Sequence, residues 1–275
     1  MTLRIAIVAD IHHGAPSHTK RGDAALDLMA DFAAWSNAQA PDLVLDLGDR
    51  ISDIDEDTDL RLETEVSDAF KAVDAPVYHI CGNHDRDHLS VAQNEDILGQ
   101  SLQNELLDFG TWQIALWRAD AKICRDPERR GFILPETDLL WLSRTVQAAE
   151  KPTLVVSHVP VSGHSHIGNY YFQCNPEHSR YPESDRARQA LAQARVPVVC
   201  LAGHVHWNTV TTVDGIPHLT QQSLTESFTT QGEPSGAWGI LTLTDTAHWQ
   251  VQGHDPFEAR VTPLARRWTP PLMPF

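Results

Sequence analysis

The sequence is poor in basic residues. Its 275 positions contain 21 Lys and Arg against 37 Asp and Glu, a formal net charge of −16 with histidine neutral, and no run of Lys or Arg is longer than two residues. Proteins that hold a nucleic-acid backbone by bulk electrostatics need the opposite charge. The composition therefore argues against a nucleic-acid polymer as partner, and any phosphate that the protein handles needs a local source of positive charge.

Paired cysteines and long apolar segments are also missing. The four cysteines show no C-x-x-C spacing, so neither a zinc ribbon nor a disulfide framework is indicated. The apolar run before Asp10 is too short for a signal peptide or a membrane span. These features predict a cytoplasmic protein with free thiols and no membrane span.

The sequence does contain material for a packed core. Hydrophobic residues make up 41 % of the chain, which rules out a disordered chain. Runs rich in Val, Ile and Leu predict buried strands at Leu3–Ala9, Leu43–Leu47, Val77–Cys81, Thr153–Ser157 and Val196–Ala202. Helical patterns lie between these runs, at 20–39, 56–73, 136–149 and 183–194. This alternation of strand and helix predicts an α/β fold.

The last third of the sequence has a different pattern. From Thr209 to Val251, apolar and polar residues alternate around a hairpin signal at Asp214-Gly215, and we expect a second, mostly antiparallel sheet there. We find no internal repeat and no Ser/Gly-rich linker, so we expect a single domain over 1–260. The Pro-rich tail at 261–275 carries apolar side chains, which we expect to pack on the body or on a neighbouring subunit of a homo-oligomer.

A polar cluster follows each of the five predicted buried strands. The clusters are Asp10-Ile-His12, Gly48-Asp49, Gly82-Asn83-His84-Asp85, Ser157-His158 and Gly203-His204-Val-His206. Each alone is a weak signal, because such residues also serve as turn caps or satisfied buried polar groups. Ligands of open α/β sheets collect beyond the carboxyl ends of the strands. We therefore expect all five clusters to meet in one crevice.

The residue types in these clusters favour a pair of divalent metals. Carboxylates, imidazoles and one amide oxygen, without a thiolate, suit Mn, Fe or Zn. Two metals about 3.5–4 Å apart can hold a hydroxide and a phosphoryl oxygen in an in-line displacement. Such a pair would be the local positive charge that the overall composition lacks.

With these motifs in this order, the sequence resembles the calcineurin-like metallophosphoesterase family over nearly its whole length. The Gly-Asn-His-Asp form and the chain length are most similar to the bacterial cyclic-nucleotide and glycerophosphodiester phosphodiesterases. The resemblance implies a four-layer αββα sandwich of two mixed β-sheets, with two metal ions (Mn, Fe or Zn) as cofactors.

The resemblance also implies a role for each motif residue. The metal ligands would be Asp10, His12 and His206 for the first ion, Asn83, His158 and His204 for the second, and Asp49 as the bridge. His84 would contact the phosphate and stabilise or protonate the leaving oxygen, positioned by Asp85.

Two positions depart from the family pattern. Related sequences often read His-His-Pro at the fourth motif, whereas this one reads His158-Val159-Pro160, which keeps the ligand and changes its neighbour. Arg50 stands where an apolar residue is common. It either reaches a phosphate or tethers the acidic helix predicted to follow.

The segment after the fourth motif is the best candidate for substrate contacts. It has the length and the glycines of a functional loop. We expect four of its side chains to bind substrate: His164, His166, Tyr170 and Tyr171. The alternative is a loop that packs on itself.

The function implied by the resemblance is metal-dependent hydrolysis of a small phosphodiester by a metal-bound hydroxide. A phosphomonoesterase or pyrophosphatase on the same metals is the alternative. A non-catalytic scaffold on the same fold is disfavoured because every ligand position is intact. A nuclease is disfavoured because the chain has no evident basic track.

Overall fold

The computed structural model describes residues 2–126, 128, 131–265, 267 and 268. The strands in this part of the chain are β1 (Leu3–Val8), β2 (Leu43–Asp46), β3 (Val77–His79), β4 (Glu105–Asp108), β5 (Gln113–Leu116), β6 (Ile123–Cys124), β7 (Gly131–Phe132), β8 (Thr153–Ser157), β9 (Val198–Ala202), β10 (Thr209–Val213), β11 (Ile216–Thr220), β12 (Trp238–Leu243), β13 (Ala247–Gln252) and β14 (Phe257–Val261). The helices are α1 (Ala25–Gln39), α2 (Glu56–Phe70), α3 (Asn83–Asp87), α4 (Val91–Leu98), α5 (Glu136–Ala148) and α6 (Ser184–Leu191).

The strands form two mixed six-stranded sheets and a small ribbon. The first sheet has the order β14-β13-β12-β1-β2-β3, the second β10-β11-β9-β8-β5-β4, and β6 pairs with β7. In the first sheet β1, β2 and β3 run parallel, and in the second β5, β8, β9 and β11 do. The four-layer sandwich of two mixed sheets is confirmed.

Three apolar layers hold the sandwich together, and successive residues of one strand divide between them. Ile5 and Ile7 pack between the two sheets, while Ala6 and Val8 pack against α1 and α2 on the outer face. The residues of β5 in the second sheet divide in the same way, since Ala115 packs against α5 and α6 on the outer face. Strands buried on both faces need apolar residues at every position, which is the pattern that the sequence shows.

The expectation of a separate antiparallel sheet in the last third is wrong. Strands β12, β13 and β14 extend the first sheet antiparallel to β1, whereas β10 and β11 close the edge of the second sheet. Each set covers an edge strand that would otherwise expose unpaired backbone groups. The hairpin at Asp214-Gly215 is confirmed, with both residues in the left-handed region at φ 52° and 80°.

The four predicted helices are present with shorter bounds. The elements that were not predicted are α3, α4, β4, β5, β6, β7 and β14. Of the Pro-rich tail, the backbone N–H of Trp268 lies 3.4 Å from the carbonyl oxygen of Asp214. The expectation that the tail packs on the body or on a neighbour depends mostly on 269–275, which lie outside the described residues. No helix in the described ranges is long and apolar enough to cross a membrane.

Candidate metal centre

The five polar clusters meet at one end of the sandwich. Three of them follow β1, β2 and β3 of the first sheet, and two follow β8 and β9 of the second. Because each group of strands runs parallel, their carboxyl ends lie at the same edge. The expected convergence is therefore confirmed, across two sheets rather than along one.

One group of potential ligands combines Asp10, His12, Asp49 and His206, with one ligand atom of each within 4.8 Å of the others. The Nε2 atoms of His12 and His206 lie 2.9 Å apart. His12 Nε2 is also 3.8 Å from Asp49 Oδ2, and His206 Nε2 is 3.6 Å from Asp10 Oδ1. Two imidazole nitrogens and two carboxylates thus face a common point.

A second group shares Asp49 with the first. It consists of Asp49, His158 and His204, and His158 Nε2 lies 3.4 Å from both Asp49 Oδ2 and Asn83 Oδ1. Asp49 is buried and belongs to both groups. Its carboxylate therefore has the position that a bridging ligand needs.

Most of these ligand-type residues have an unusual backbone conformation. Left-handed φ angles occur at Asp10 (50°), His12 (49°), Asp49 (56°), His204 (70°) and His206 (59°). Each such non-glycine residue costs on the order of 1–3 kcal/mol and persists only where its surroundings enforce it. Such strain is concentrated at functional sites in proteins, and here it turns successive side chains into the crevice.

Neighbouring backbone groups enforce this conformation. The N–H of Asp10 donates to the carbonyl of Gly48, and the N–H of His12 donates to that of Asp49, both at 2.9 Å. The hydroxyl of Ser223 donates to the carbonyl of Asp10 at 2.6 Å. The loop after β1 is therefore held between the loop after β2 and the segment before β12.

Two glycines of the motifs make room for carboxylates. A Cβ on Gly82 would lie 2.1 Å from Asp49 Oδ1, and a Cβ on Gly203 would lie 2.7 Å from Asp10 Oδ2. Both distances are shorter than any side chain allows. Glycine at these positions lets the turns approach the acids closely.

The histidine rings are oriented by hydrogen bonds on the side away from the crevice. His158 Nδ1 donates to the carbonyl of Leu47 at 2.8 Å, and His204 Nε2 donates to the carbonyl of His178 at 2.8 Å. His206 Nδ1 donates to Glu226 Oε2 at 2.9 Å. Such partners fix which ring nitrogen keeps a free lone pair.

The donor set fits a pair of metal ions. With Nε2 of His204 occupied, its Nδ1 is buried and has no hydrogen-bond partner among the described residues. A buried polar atom without a partner is costly and calls for an unseen ligand. Carboxylate, imidazole and amide donors around it suit hard to borderline divalent cations.

The protonation equilibria also point to missing positive charge. Burial raises the pKa of Asp10 to about 7 despite His206 and His158, and burial lowers that of His204 to about 3. Burial also acts on His158, but the Asp49 carboxylate outweighs it and raises the pKa of that imidazole to about 9. A cation in the crevice would stabilise the ionised carboxylates, so that Asp10 and His158 would not need to hold protons.

His84 lies beside this crevice, and its partner differs from the one expected. Its Nδ1 bonds to Asp53 Oδ1, and its ring centroid is 4.7 Å from that of His12. Asp85, expected to position His84, instead accepts from the backbone N–H groups of Gly82, Asp49 and Arg50. The Asp85 carboxylate points into the protein because it caps these turns and faces the Arg50 guanidinium.

Arg50 tethers the acidic helix and does not reach the crevice. It is fully buried, and pairs with Asp46 at 2.8 Å, Glu63 of α2 at 2.5 Å and Asp85 at 3.2 Å. Three acidic side chains surround one guanidinium. The tether interpretation is the one that these contacts support.

A cleft of about 290 Å³ opens onto the crevice. Its described lining includes Asp49, Asn83, His84, His204 and His206 together with His18, Thr19, Lys20, Ile123, Asn169, Tyr170, Tyr171, Phe172, His178, Glu226 and Phe228. Tyr170 Oη lies 3.4 Å from His18 Nδ1, so two loops meet over the cleft. Tyr170 and Tyr171 are thus where substrate contacts were expected.

His164 and His166 lie elsewhere. They line a neighbouring pocket of about 260 Å³ together with Arg180, and neither is among the described residues of the cleft. Phe172 lies between, since it borders both pockets. The loop turns at Gly168 (φ 94°), which places its two halves on different sides of Phe172.

Sequence reasoning did not single out Asp53, Glu226 or Lys20. Glu226 belongs to no motif, although it lies in a run of buried polar residues, 220–223 and 225–227. Asp53 follows Asp49 by four positions and carries no signal of its own. These side chains reach the site through the tertiary structure.

The chain was compared with known proteins. The family profile described as calcineurin-like phosphoesterase matches residues 3–208. A search of curated proteins finds no match.

Several solved structures share the fold. A dimetal phosphatase from Danio rerio superposes with a TM-score of 0.75 at 16% identity, covering 94% of this chain and 98% of that one. The anchor protein of the inner membrane complex of Plasmodium gives 0.58 at 11% identity, with 96% and 90% covered. A protein of Thermus thermophilus gives 0.53 at 12% identity, with 93% and 100% covered.

Proposed function

The chain belongs to the calcineurin-like phosphoesterase family, and from this premise we propose that it hydrolyses a small phosphodiester with the help of two metal ions. The observation that carries the proposal is the shared Asp49. Two groups of ligand-type side chains meet at this one buried carboxylate, and His84 lines the same cleft.

The residues divide between two ions. Asp10, His12 and His206 would hold the first, Asn83, His158 and His204 the second, and Asp49 both. Mn, Fe and Zn all suit these ligands. When bound, such a pair lowers the pKa of water, provides positive charge and orients a phosphoryl group.

His84 is the proposed general acid. Its Nδ1 bonds to Asp53, so Nε2 remains for the substrate. The carboxylate of Asp53 holds the ring, and Nε2 would give a proton to the leaving oxygen. Burial would raise the pKa of Asp53, but the hydrogen bond to His84 outweighs it and lowers this pKa to about 2.

Asp85 acts one step further away. It binds the N–H groups of Asp49 and Arg50, which fixes the turn that presents Asp49. In this role Asp85 positions the carboxylate of Asp49, and it does not position His84.

The cleft supports a small diester as substrate. Its volume of about 290 Å³ suits a small molecule, and the net charge of −16 disfavours a polyanion. Aromatic and aliphatic side chains from two loops and from β6 line it, namely Tyr170, Tyr171, Phe228 and Ile123. Such walls suit organic groups on both ester oxygens better than the free oxygens of a monoester.

The test is a substrate panel on protein reconstituted separately with Mn, Fe and Zn. We expect bis(4-nitrophenyl) phosphate to be cleaved at least about ten times faster than 4-nitrophenyl phosphate, as kcat/KM, because apolar walls favour the second ester group by about 1.4 kcal/mol or more. Faster cleavage of the monoester or of a pyrophosphate would contradict the diesterase assignment. No cleavage of any phosphoester with any metal would contradict the enzyme assignment.

A further inference from the structure

Lys20 is held in a fixed position at the edge of the cleft. It lies between β1 and α1. Its backbone N–H donates to the carbonyl of Ser17 at 2.8 Å, and its carbonyl accepts the N–H of Ser17 at 3.0 Å. The backbone of Lys20 also forms an antiparallel β-bridge with that of Glu226. The backbone of this residue is therefore tied both to its own turn and to the segment that orients His206.

The Lys20 side chain brings a cation into the cleft. It is the only lysine or arginine among the described residues of the lining. Its Nζ lies 3.4 Å from His12 Nδ1, and no ion pair within 4.0 Å joins it to a described carboxylate. A partly buried ammonium without an anionic partner is expensive.

The carboxylates around Lys20 are engaged by other groups. Burial lowers the pKa of Lys20, and four carboxylates counteract this from a distance: Asp49, Asp53, Glu226 and Asp10. Asp10 and Asp49 face the metal-ligand histidines, Asp53 bonds to His84 and Glu226 bonds to His206. None of the four lies within 4.0 Å of the ammonium as an ion pair.

The contact with His12 does not satisfy Lys20 either. His12 Nε2 faces His206 and Asp49, so in a metal-loaded protein Nδ1 carries the ring hydrogen. The ammonium and Nδ1–H are then both donors. Two donors 3.4 Å apart cannot bond each other, and they call for an acceptor between or beside them.

We propose that the Lys20 ammonium binds a non-bridging phosphoryl oxygen of the substrate in the cleft. This inference rests on the proposed function, since it concerns the same cleft. An anionic oxygen is the acceptor that the ammonium lacks, and a charge-assisted hydrogen bond from lysine is a common way to hold phosphate. Lys20 thereby adds a protein cation to the positive charge of the two ions.

The test uses the metal-loaded protein and inorganic phosphate as the probe. Three variants are compared with the wild type: Lys20→Met, Lys20→Arg and, as a control, Lys71→Met. Lys71 is exposed on the far end of α2 and pairs with Asp68. Metal content is measured by elemental analysis and phosphate affinity by calorimetry, so that neither readout requires turnover.

We expect Lys20→Met to keep two metals and to bind phosphate about 10- to 100-fold more weakly, the loss typical of one hydrogen bond to a charged group. Lys20→Arg should recover most of the affinity, and Lys71→Met should match the wild type. Unchanged phosphate binding in Lys20→Met would overturn the proposal. Loss of a metal from that variant would also overturn it, by showing that Lys20 supports His12.

The outcome is separable from that of the proposed function. If the wild type cleaves no phosphoester yet binds phosphate through Lys20, the hydrolase proposal fails and this inference stands. If the wild type cleaves diesters and Lys20→Met binds phosphate equally well, the reverse holds.

Discussion

The Nδ1 atom of His206 lies 2.9 Å from Oε2 of Glu226, a residue 20 positions further along the chain. Glu226 is buried, and its other oxygen accepts the backbone N–H of Ser227 at 2.8 Å. Burial alone would raise the pKa of Glu226, but the bond to His206 outweighs it and lowers this pKa to about 2. The carboxylate is therefore ionised, and it orients the imidazole.

Glu226→Gln should weaken the first metal site. The amide oxygen can still accept a hydrogen bond, but it makes the imidazole less basic, and such outer partners are typically worth 10- to 100-fold in metal affinity. Competition with a chromophoric chelator measures this loss. Glu258→Gln is the control, because Glu258 bonds to His248 on an exposed strand. Equal affinity in the two variants would remove Glu226 from the metal centre.

His84→Ala should keep both metals and lose most activity. Its ring belongs to neither ligand group, and removal of a general acid costs about 10²- to 10⁴-fold in rate. Turnover of bis(4-nitrophenyl) phosphate is measured beside metal content. His88→Ala is the control, since that residue directly follows the same short helix and its ring bonds to Asp59 at 2.8 Å. A His84→Ala protein as active as the wild type would refute the role of His84.

Asp53→Asn should reproduce part of this defect. An amide holds the His84 ring less firmly than a carboxylate, so kcat should fall more than KM changes, and the fall should be smaller than in His84→Ala. The separate values of kcat and KM for bis(4-nitrophenyl) phosphate are the decisive measurement, with metal content determined beside them. An unchanged kcat would mean that Asp53 does not position His84.

Gly82→Ala should abolish metal binding at the shared carboxylate. The added Cβ would lie 2.1 Å from Asp49 Oδ1 and 2.4 Å from its backbone nitrogen, so Asp49 must move. Gly99→Ala is the comparison, because Gly99 has a left-handed φ of 61° and open space around it. That variant should lose about 1 kcal/mol of stability and keep its metals. Full metal content in Gly82→Ala would contradict the described turn.

Glu63→Gln should change how stability depends on pH. Burial raises the pKa of Glu63 to about 8 despite Arg50, against an ordinary value of 4.5. Between these values the folded protein holds a proton that the unfolded chain has lost. Stability from this group is therefore complete below pH 4.5 and is lost as the pH rises towards 8.

The Glu63→Gln variant has no group that titrates at this position, so it should not show this loss of stability with rising pH. The free energy of unfolding of the wild type should fall relative to Glu63→Gln from pH 5 to 8, by at most about 1.4 kcal/mol per pH unit. Denaturant unfolding at several pH values measures it. In the control Glu65→Gln the wild-type slope should persist, because hydrogen bonds from His13 and Arg61 lower the pKa of Glu65 below this window. Parallel curves for Glu63→Gln and the wild type would contradict the buried proton.

The ligand-type residues could be recognised from sequence because each directly follows a strand. A run such as Leu43–Leu47 marks where a strand ends, and Asp49 then stands two positions on. Its approach to the turn after β3 needs only that parallel strands of one sheet share an edge. Its approach to His158 also needs the packing of one sheet on the other. Asp53, Lys20 and Glu226 stand in loops whose path depends on packing, and no local pattern marks them.

The division of strands between the sheets could not be predicted in the same way. Strands β1 and β9 are apolar on both faces because each lies between a second sheet and a helix layer, and this pattern is the same in either sheet. The sequence by itself determined the fold class, the ligand chemistry and the order of the motifs, since these depend on residue type and local spacing. Only the tertiary structure decided that Asp53 holds His84, that Asp85 supports the turn of Asp49, and that His164 and His166 lie behind Phe172. The side chains in these contacts are far apart in the sequence, and only the packing of the fold brings them together.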